Sequence, residues 1–195
     1  MNTAWGYEVD SLPPLVDVTS FDAATGSRFA GDLRAQQAIA AASAAIRNEC
    51  GWHISPVLAC RAVLTPDGRL ARIPAKMVES VESVSDHGQE LAEGQYEWRR
   101  DGLLRRACFC NWKCGWGGIE VAYTAGFEPC AVQDLASACI HIAEAVLAVP
   151  AGIASEAAGG VSVSYSAAAS SVAASMAAGM RGTLAPYRLV SSHAA

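Results

Sequence analysis

Cys108, Cys110 and Cys114 stand in a C-x-C-x-x-x-C spacing, with Cys130 and Cys139 further along the chain. Thiolates are soft metal ligands, and residues at i and i+2 of a strand face the same side, so part of a tetrahedral zinc site is within geometric reach. A complete site wants four ligands, commonly offered as two close pairs. The C-x-x-C knuckle is missing and no second pair follows. The plainer reading is reduced, mostly buried thiols. Seven cysteines are an odd number and cannot all pair within one chain. His141 and Glu144 lie three apart on an expected helix and share a face, but no H-E-x-x-H accompanies them, so a surface polar pair explains them. There is no G-x-S-x-G elbow, and Gly115, Gly117 and Gly118 spell neither a phosphate loop nor a dinucleotide fingerprint. A turn between strands accounts for them. The residues therefore ask for no catalysis, cofactor or metal. A small zinc- or thiol-dependent enzyme built on the 108–114 cysteines is the alternative from a different class.

A second group could bind rather than react. Arg99, Arg100, Arg105 and Arg106 flank Asp101-Gly102, a hairpin-type signal, and make a basic tip. Such a tip can touch DNA phosphate or an acidic partner surface; equally, charges at a hairpin end keep a strand edge from sticking. Net charge is -5, which disfavours a firm grip on nucleic acid and leaves room for weak, sliding contact. The start, MNTAWGYEVDSLPP, lacks the basic region and apolar run of a signal peptide.

The elements that must carry these residues follow from periodicity. Residues 1–26 read as an irregular arm, with a short strand or capped turn over Val16–Phe21. A helix is expected from Ser27 or Asp32 to Cys50, on a stripe of Phe29, Leu33, Ile39, Ala42, Ile46 and Cys50, with Asp32 as N-cap and Gly51 as stop. The texture then turns to strands, about 57–127, punctuated at Pro66-Asp67-Gly68, Asp86-His87-Gly88 and Asp101-Gly102. In Val78–Val84 the valines recur every third residue, which suits neither regular period and suggests a bulged strand. A second helix spans about Val132 to Val149, followed by a strand at Val161–Tyr165. A last helix, Ala167–Met180, is capped by Ser166 and aligns Ala169, Val172, Met176 and Met180. This order predicts an α+β fold: three main helices forming a helical core (27–165), a β-rich insertion in its middle, and a long C-terminal helix and tail (166–195).

No charge occurs between Glu156 and Arg181. The run is long enough to span a bilayer, yet its serines, glycines and scarcity of large apolar residues argue against insertion. A helix dressed in Ala, Ser, Gly and Met on every side is suited to close packing, either within the subunit or against other chains.

Five ordered segments carry a family resemblance. They are Ala45-Ile46-Arg47-Asn48-Glu49-Cys50-Gly51-Trp52-His53-Ile54, Val121-Ala122-Tyr123-Thr124-Ala125-Gly126-Phe127, Pro129–Leu135, Ser155–Tyr165 and Leu184-Ala185-Pro186-Tyr187-Arg188-Leu189. In this order the chain resembles the head-to-tail connector, or adaptor, proteins of long-tailed bacteriophages, from about residue 17 to 190. The resemblance implies a structural virion protein in the neck, made in the host cytoplasm, without cofactor or membrane. It implies a homo-oligomeric ring of about twelve copies on the portal protein at the capsid vertex, with a head-to-tail interface whose rotation closes. It also implies an extended DNA channel with transient, non-specific contact to the genome, and a surface for the next neck or tail protein, a stopper or tail terminator. By the same analogy, portal docking falls to the Ala167–Met180 helix and the tail, through Val172, Met176, Met180, Leu184, Tyr187, Arg188 and Leu189. A truncation after Gly160 is expected to leave the remainder folded. Another neck or tail-completion protein is the closest alternative.

Overall fold

The computed structural model describes residues 1–107, 110–113, 115–148, 155–158, 161–164 and 169–189. It is an α+β fold whose chain divides into two compact units. One holds Met1–Pro13, Cys50–Ala131 and the tail from Tyr187; the other holds Pro14–Glu49 and Val132–Pro186. The 166–195 segment is thus shared between them.

The first unit is built on two antiparallel sheets. Strands β1 (Tyr7–Val9), β2 (Leu58–Leu64), β4 (Val78–Asp86), β5 (Gln89–Glu90) and β8 (Ile119–Ala125) form a five-stranded sheet in the order β1-β2-β8-β4-β5. Strands β3 (Leu70–Arg72), β6 (Tyr96–Trp98) and β7 (Leu103–Arg106) form a three-stranded sheet in the order β3-β7-β6. On the large sheet Tyr7, Val9, Cys60, Ala62, Ile119, Val121 and Tyr123 are buried, whereas Glu8, Arg61, Val63 and Glu120 are exposed. That is the period-two division of a half-buried antiparallel sheet.

The odd valine spacing has a register explanation. Val78, Val81 and Val84 stand opposite Ala125, Tyr123 and Val121, with a register shift after Val78 and another after Val81. Each bulge inserts one extra residue in β4, so a three-residue step there matches a two-residue step on β8. Val78 and Val84 are consequently fully buried, while the intervening Glu79 and Glu82 are exposed.

The Trp52-His53-Ile54 segment, drawn from one of the five resemblance motifs, is fully buried. The His53 imidazole lies between the Tyr7 hydroxyl, 2.9 Å from Nδ1, and the Ala125 carbonyl, 2.9 Å from Nε2. A carbonyl can only accept, which assigns the proton to Nε2 and makes Nδ1 the acceptor from Tyr7. The His53 backbone N–H donates to the same Tyr7 oxygen at 2.8 Å. The Trp52 indole N–H donates to the Tyr187 carbonyl at 2.7 Å, and Leu189 N–H donates to the Cys50 carbonyl at 2.9 Å. Phe127 packs edge-on against both Trp52 and Tyr187.

The second unit contains α1 (Val18–Ala24), α2 (Ala35–Cys50, to Glu49), α3 (Gln133–Ala148), α4 (Ala169–Gly179) and α5 (Arg181–Leu184), with a hairpin of β9 (Ser155–Ala158) and β10 (Val161–Ser164). On α2, Ala38, Ile39, Ala42 and Ile46 are buried; on α3, Leu135, Cys139, Ile142 and Val146 are. Ser43 of α2 returns its hydroxyl to the Ile39 carbonyl at 2.8 Å and lies 3.5 Å from the Cys139 sulfur. Leu15 N–H donates to the same hydroxyl at 3.0 Å.

Three expectations are corrected here. Residues 1–26 are not irregular: β1 pairs with β2, and α1 is capped by Asp17, whose carboxylate accepts from Ser20 N–H at 2.9 Å. The 16–21 segment is accordingly a capped helix start rather than a strand. The next helix begins at Ala35, not at Ser27 or Asp32. Phe29 instead stacks on Phe21, Leu33 is 95% exposed, and the Asp32 carboxylate accepts from Arg34 N–H at 2.8 Å in a local turn. Helix α3 matches its predicted span to within a residue, and β10 matches the expected strand; its partner β9 was not foreseen. The proposed cap Ser166 lies outside the described residues.

Gly126 of the Val121–Phe127 motif shows why such a motif is restrictive. Its φ is +134°, and a Cβ there would meet the Pro56 carbonyl oxygen at 2.4 Å. Gly126→Ala is therefore expected to lower stability by roughly 2 kcal/mol or more. Urea denaturation checks this; an unshifted midpoint would refute the packing described.

Candidate functional site

The four predicted arginines do not form a free basic tip. Arg105, opposite Glu97 in the β6–β7 register, pairs with its carboxylate at 2.6 Å, and Arg99 pairs with Asp101 at 3.0 Å. Arg106 is half-buried, lies over the Trp112 ring at 5.7 Å, and reaches Asp86 at 3.7 Å. Among the described residues, Arg100 alone of the four makes no ion pair, and it is exposed. Sequence reading found these arginines but not their partners, because Glu97 and Asp86 reach them through strand register and tertiary contact.

Asp86 is the centre of a small polar cluster. Its side chain is only 2% exposed. One carboxylate oxygen lies 2.9 Å from His87 Nδ1; the other accepts from Lys113 N–H at 3.4 Å and faces Arg106. A buried carboxylate requires such compensation. The glycine cluster serves the same spot: a Cβ on Gly118 would stand 2.1 Å from His87 Cε1, and one on Gly115 would stand 2.7 Å from Nε2. Between them Trp116 is 97% exposed. The turn reading of Gly115–Gly118 agrees with this passage between β7 and β8.

The outward face of the large sheet is an open, acidic surface. Glu8, Arg61, Val63, Ser83, Ser85, Glu90, Glu120 and Ala122 line a shallow concavity of about 640 Å³. Its side chains are short except for the charged ones. Glu82 accepts from Thr124 at 2.7 Å and from Ser80 at 2.6 Å. Burial, followed by the carboxylates of Glu93 and Glu82, holds the Tyr96 phenol above its ordinary range.

The residues assigned to docking divide. Helix α4 packs on α3, and its Ala173 and Ala177 are buried. Val172, Met176 and Met180 flank that line and are half-buried, leaving Ser170, Ser171, Ala174, Ser175 and Gly179 outermost. Leu184 is fully buried, a correction to its expected place on a docking surface. Tyr187 and Leu189 are half-buried and held through Trp52 and Cys50, whereas Arg188 is exposed. A cut after Gly160 would remove Ala173, Ala177 and Leu184 from buried positions and the partners of Trp52. The expectation that the remainder stays folded is therefore withdrawn.

Cys108 and Cys114 lie outside the described residues; Cys110 and Cys130 are exposed. Among the described residues, no group of three or more His, Cys, Asp and Glu side chains is placed to hold a metal ion. Burial pushes the Cys60 thiol up to about 12 and also raises that of Cys139, against the lowering effects of Ser43 and Arg47. His141 faces Glu144 at 3.7 Å, and Arg28 pairs with the same carboxylate. Among the described residues, no helix is long and apolar enough to cross a membrane.

No family model matches the chain, and no curated protein matches it either. Solved structures do. A chain from the neck of an empty gene transfer agent particle, computed with C6 symmetry, matches at 19% identity and TM-score 0.64, covering 97% of this chain and 98% of that one. A chain from the neck of the native particle, computed with C12 symmetry, matches at 19% identity and TM-score 0.59, over 95% and 98%. A chain from the native gene transfer agent virion matches at 20% identity and TM-score 0.62, over 97% and 98%. The likeness is one of fold, and it runs the length of both chains.

Two outcomes follow from the site geometry. Arg106→Ala, which leaves the buried Asp86 carboxylate only its His87 and Lys113 partners, should cost about 3 kcal/mol, whereas Arg99→Ala should stay within about 1 kcal/mol. Equal urea midpoints for the two variants would contradict the cluster. Iodoacetamide should label Cys110 and Cys130 in the native protein but Cys60 and Cys139 only after unfolding, as read by peptide mapping.

Proposed function

We propose that this chain is a neck adaptor of a phage-like particle: a structural subunit, not an enzyme, forming a ring of identical copies between head and tail. The observation that carries this reading is the match in fold over nearly the whole of this chain and of neck chains from a gene transfer agent. Twelvefold symmetry, imposed on one of those necks, agrees with a ring of about twelve. Net charge of -5 and pairing of three of the four hairpin arginines suit a channel wall that lets DNA slide without binding phosphate firmly.

In this reading the ring sits on the portal, and the next neck protein, a stopper or tail terminator, meets its far side. Docking on the portal is assigned to the half-buried flank of α4, at Val172, Met176 and Met180, and to Arg188, with Tyr187 and Leu189 holding the tail in place. Leu184 serves the interior.

Deleting the gene from the particle's genome tests the role. Filled heads and free tails should accumulate unjoined in electron micrographs, and supplying the chain in trans should join them. Normal tailed particles without it would sink the reading.

A further inference from the structure

The two sheets of the first unit carry opposite charge. The strands of the five-stranded sheet hold six carboxylates, Glu8, Glu79, Glu82, Asp86, Glu90 and Glu120, against a single cation, Arg61. Stretches 67–76 and 96–106, which contain the three strands of the small sheet and their turns, hold seven arginines and lysines against Asp67, Glu97 and Asp101. A chain that is acidic overall has gathered half of its 14 basic residues into one small sheet and its turns.

Arg106 of the small sheet reaches Asp86, but the exposed Arg100 lies at the opposite end of the large sheet from Glu120 and Glu90. The Arg100 carbonyl accepts from Val78 N–H at 2.8 Å, at the end of the large sheet where Val78 pairs with Ala125. At the other end Glu120 and Glu90 stand on either side of Ser85, in one row of the open face. Ala125 and Glu120 are five residues apart on β8, which is about 17 Å of strand. The exposed cation at Arg100 and the exposed carboxylates at Glu90 and Glu120 therefore stand at separate places on one unit, which is what a head-to-tail contact between identical subunits needs.

We propose that the small basic sheet of one copy seats against the acidic outward face of the large sheet of the next copy, with exposed Arg72 and Arg100 meeting Glu90 and Glu120. The inference rests on the ring reading and specifies its contact. A second copy fits this surface better than a nucleic acid does. The small sheet already engages carboxylates, Arg99 with Asp101 and Arg105 with Glu97, and its surplus is matched by the carboxylates of the other sheet. Each copy supplies both halves, so every contact in a closed ring is satisfied alike.

Reciprocal charge reversal tests it. Variant one carries Arg72→Glu with Arg100→Glu; variant two carries Glu90→Lys with Glu120→Lys. All four positions are exposed. In sedimentation velocity at low salt the wild-type chain should self-associate, and salt should weaken the association. Each variant alone sets like charges against each other and should associate at least about tenfold more weakly. An equal mixture of the two should recover association, because alternating copies restore opposite charges at every contact; recovery also shows both variants to be folded. Undiminished association of either variant alone, no recovery on mixing, or a wild-type chain that stays monomeric at low salt would each overturn this contact. So would retention on duplex DNA that disappears in variant one without any change in self-association, which would reassign the sheet to phosphate. The ring reading itself stands or falls separately, on the symmetry of the neck in images of the particle and on the deletion phenotype.

Discussion

The first unit depends on satisfying the polar atoms of a histidine and a tryptophan that it has taken fully out of water. An unpaired donor or acceptor in such a place costs on the order of 1–3 kcal/mol, so each partner is fixed once the ring is buried. His53 takes the Tyr7 hydroxyl from the first strand and the Ala125 carbonyl from the end of β8; Trp52 takes the Tyr187 carbonyl from the tail. Three stretches distant in sequence are thereby tied to one buried dipeptide. This accounts for residues that look unremarkable singly, Tyr7, Ala125 and Tyr187, having so little freedom.

The helical unit solves its packing differently, with small side chains. Ala38, Ala42, Ala138, Ala143, Ala173 and Ala177 are all buried. Alanine contributes little apolar area, but it lets helix backbones approach closely and pays almost no side-chain entropy. The absence of charge between Glu156 and Arg181 thus has an intramolecular component: α4 packs on α3 and buries Ala173 and Ala177, while Ser170, Ser171, Ala174, Ser175 and Gly179 stay exposed.

Local signals in the sequence revealed much of this, and long-range ones did not. The α+β class, α3, β8 and the bulged character of β4 were legible, because periodicity and turn residues act within a few positions. The start of α2 was misplaced because Phe29 and Leu33 have helical spacing, although one ends up stacked on Phe21 and the other in solvent. Strand β1 and helix α1 were missed for the opposite reason: three and seven residues are too short to establish a period, and only the Asp17 cap marks the helix. At the arginine tip the residue types were right and their state was not. Whether Arg106 points to DNA or to Asp86 is decided by a contact twenty residues away in sequence, which spacing within the hairpin cannot express.

The borders of the large sheet set a limit on how copies can join. Its outermost strands are β1, with three residues, and β5, with two. Such stubs expose too few free amides and carbonyls to template another chain, so backbone-to-backbone stacking into an endless ribbon is disfavoured. In the ring proposed above, contact between copies then falls to side chains on the broad surfaces, where one geometry sets one rotation per step. Edges too blunt to polymerise would, in that proposed ring, favour a finite collar over a fibre.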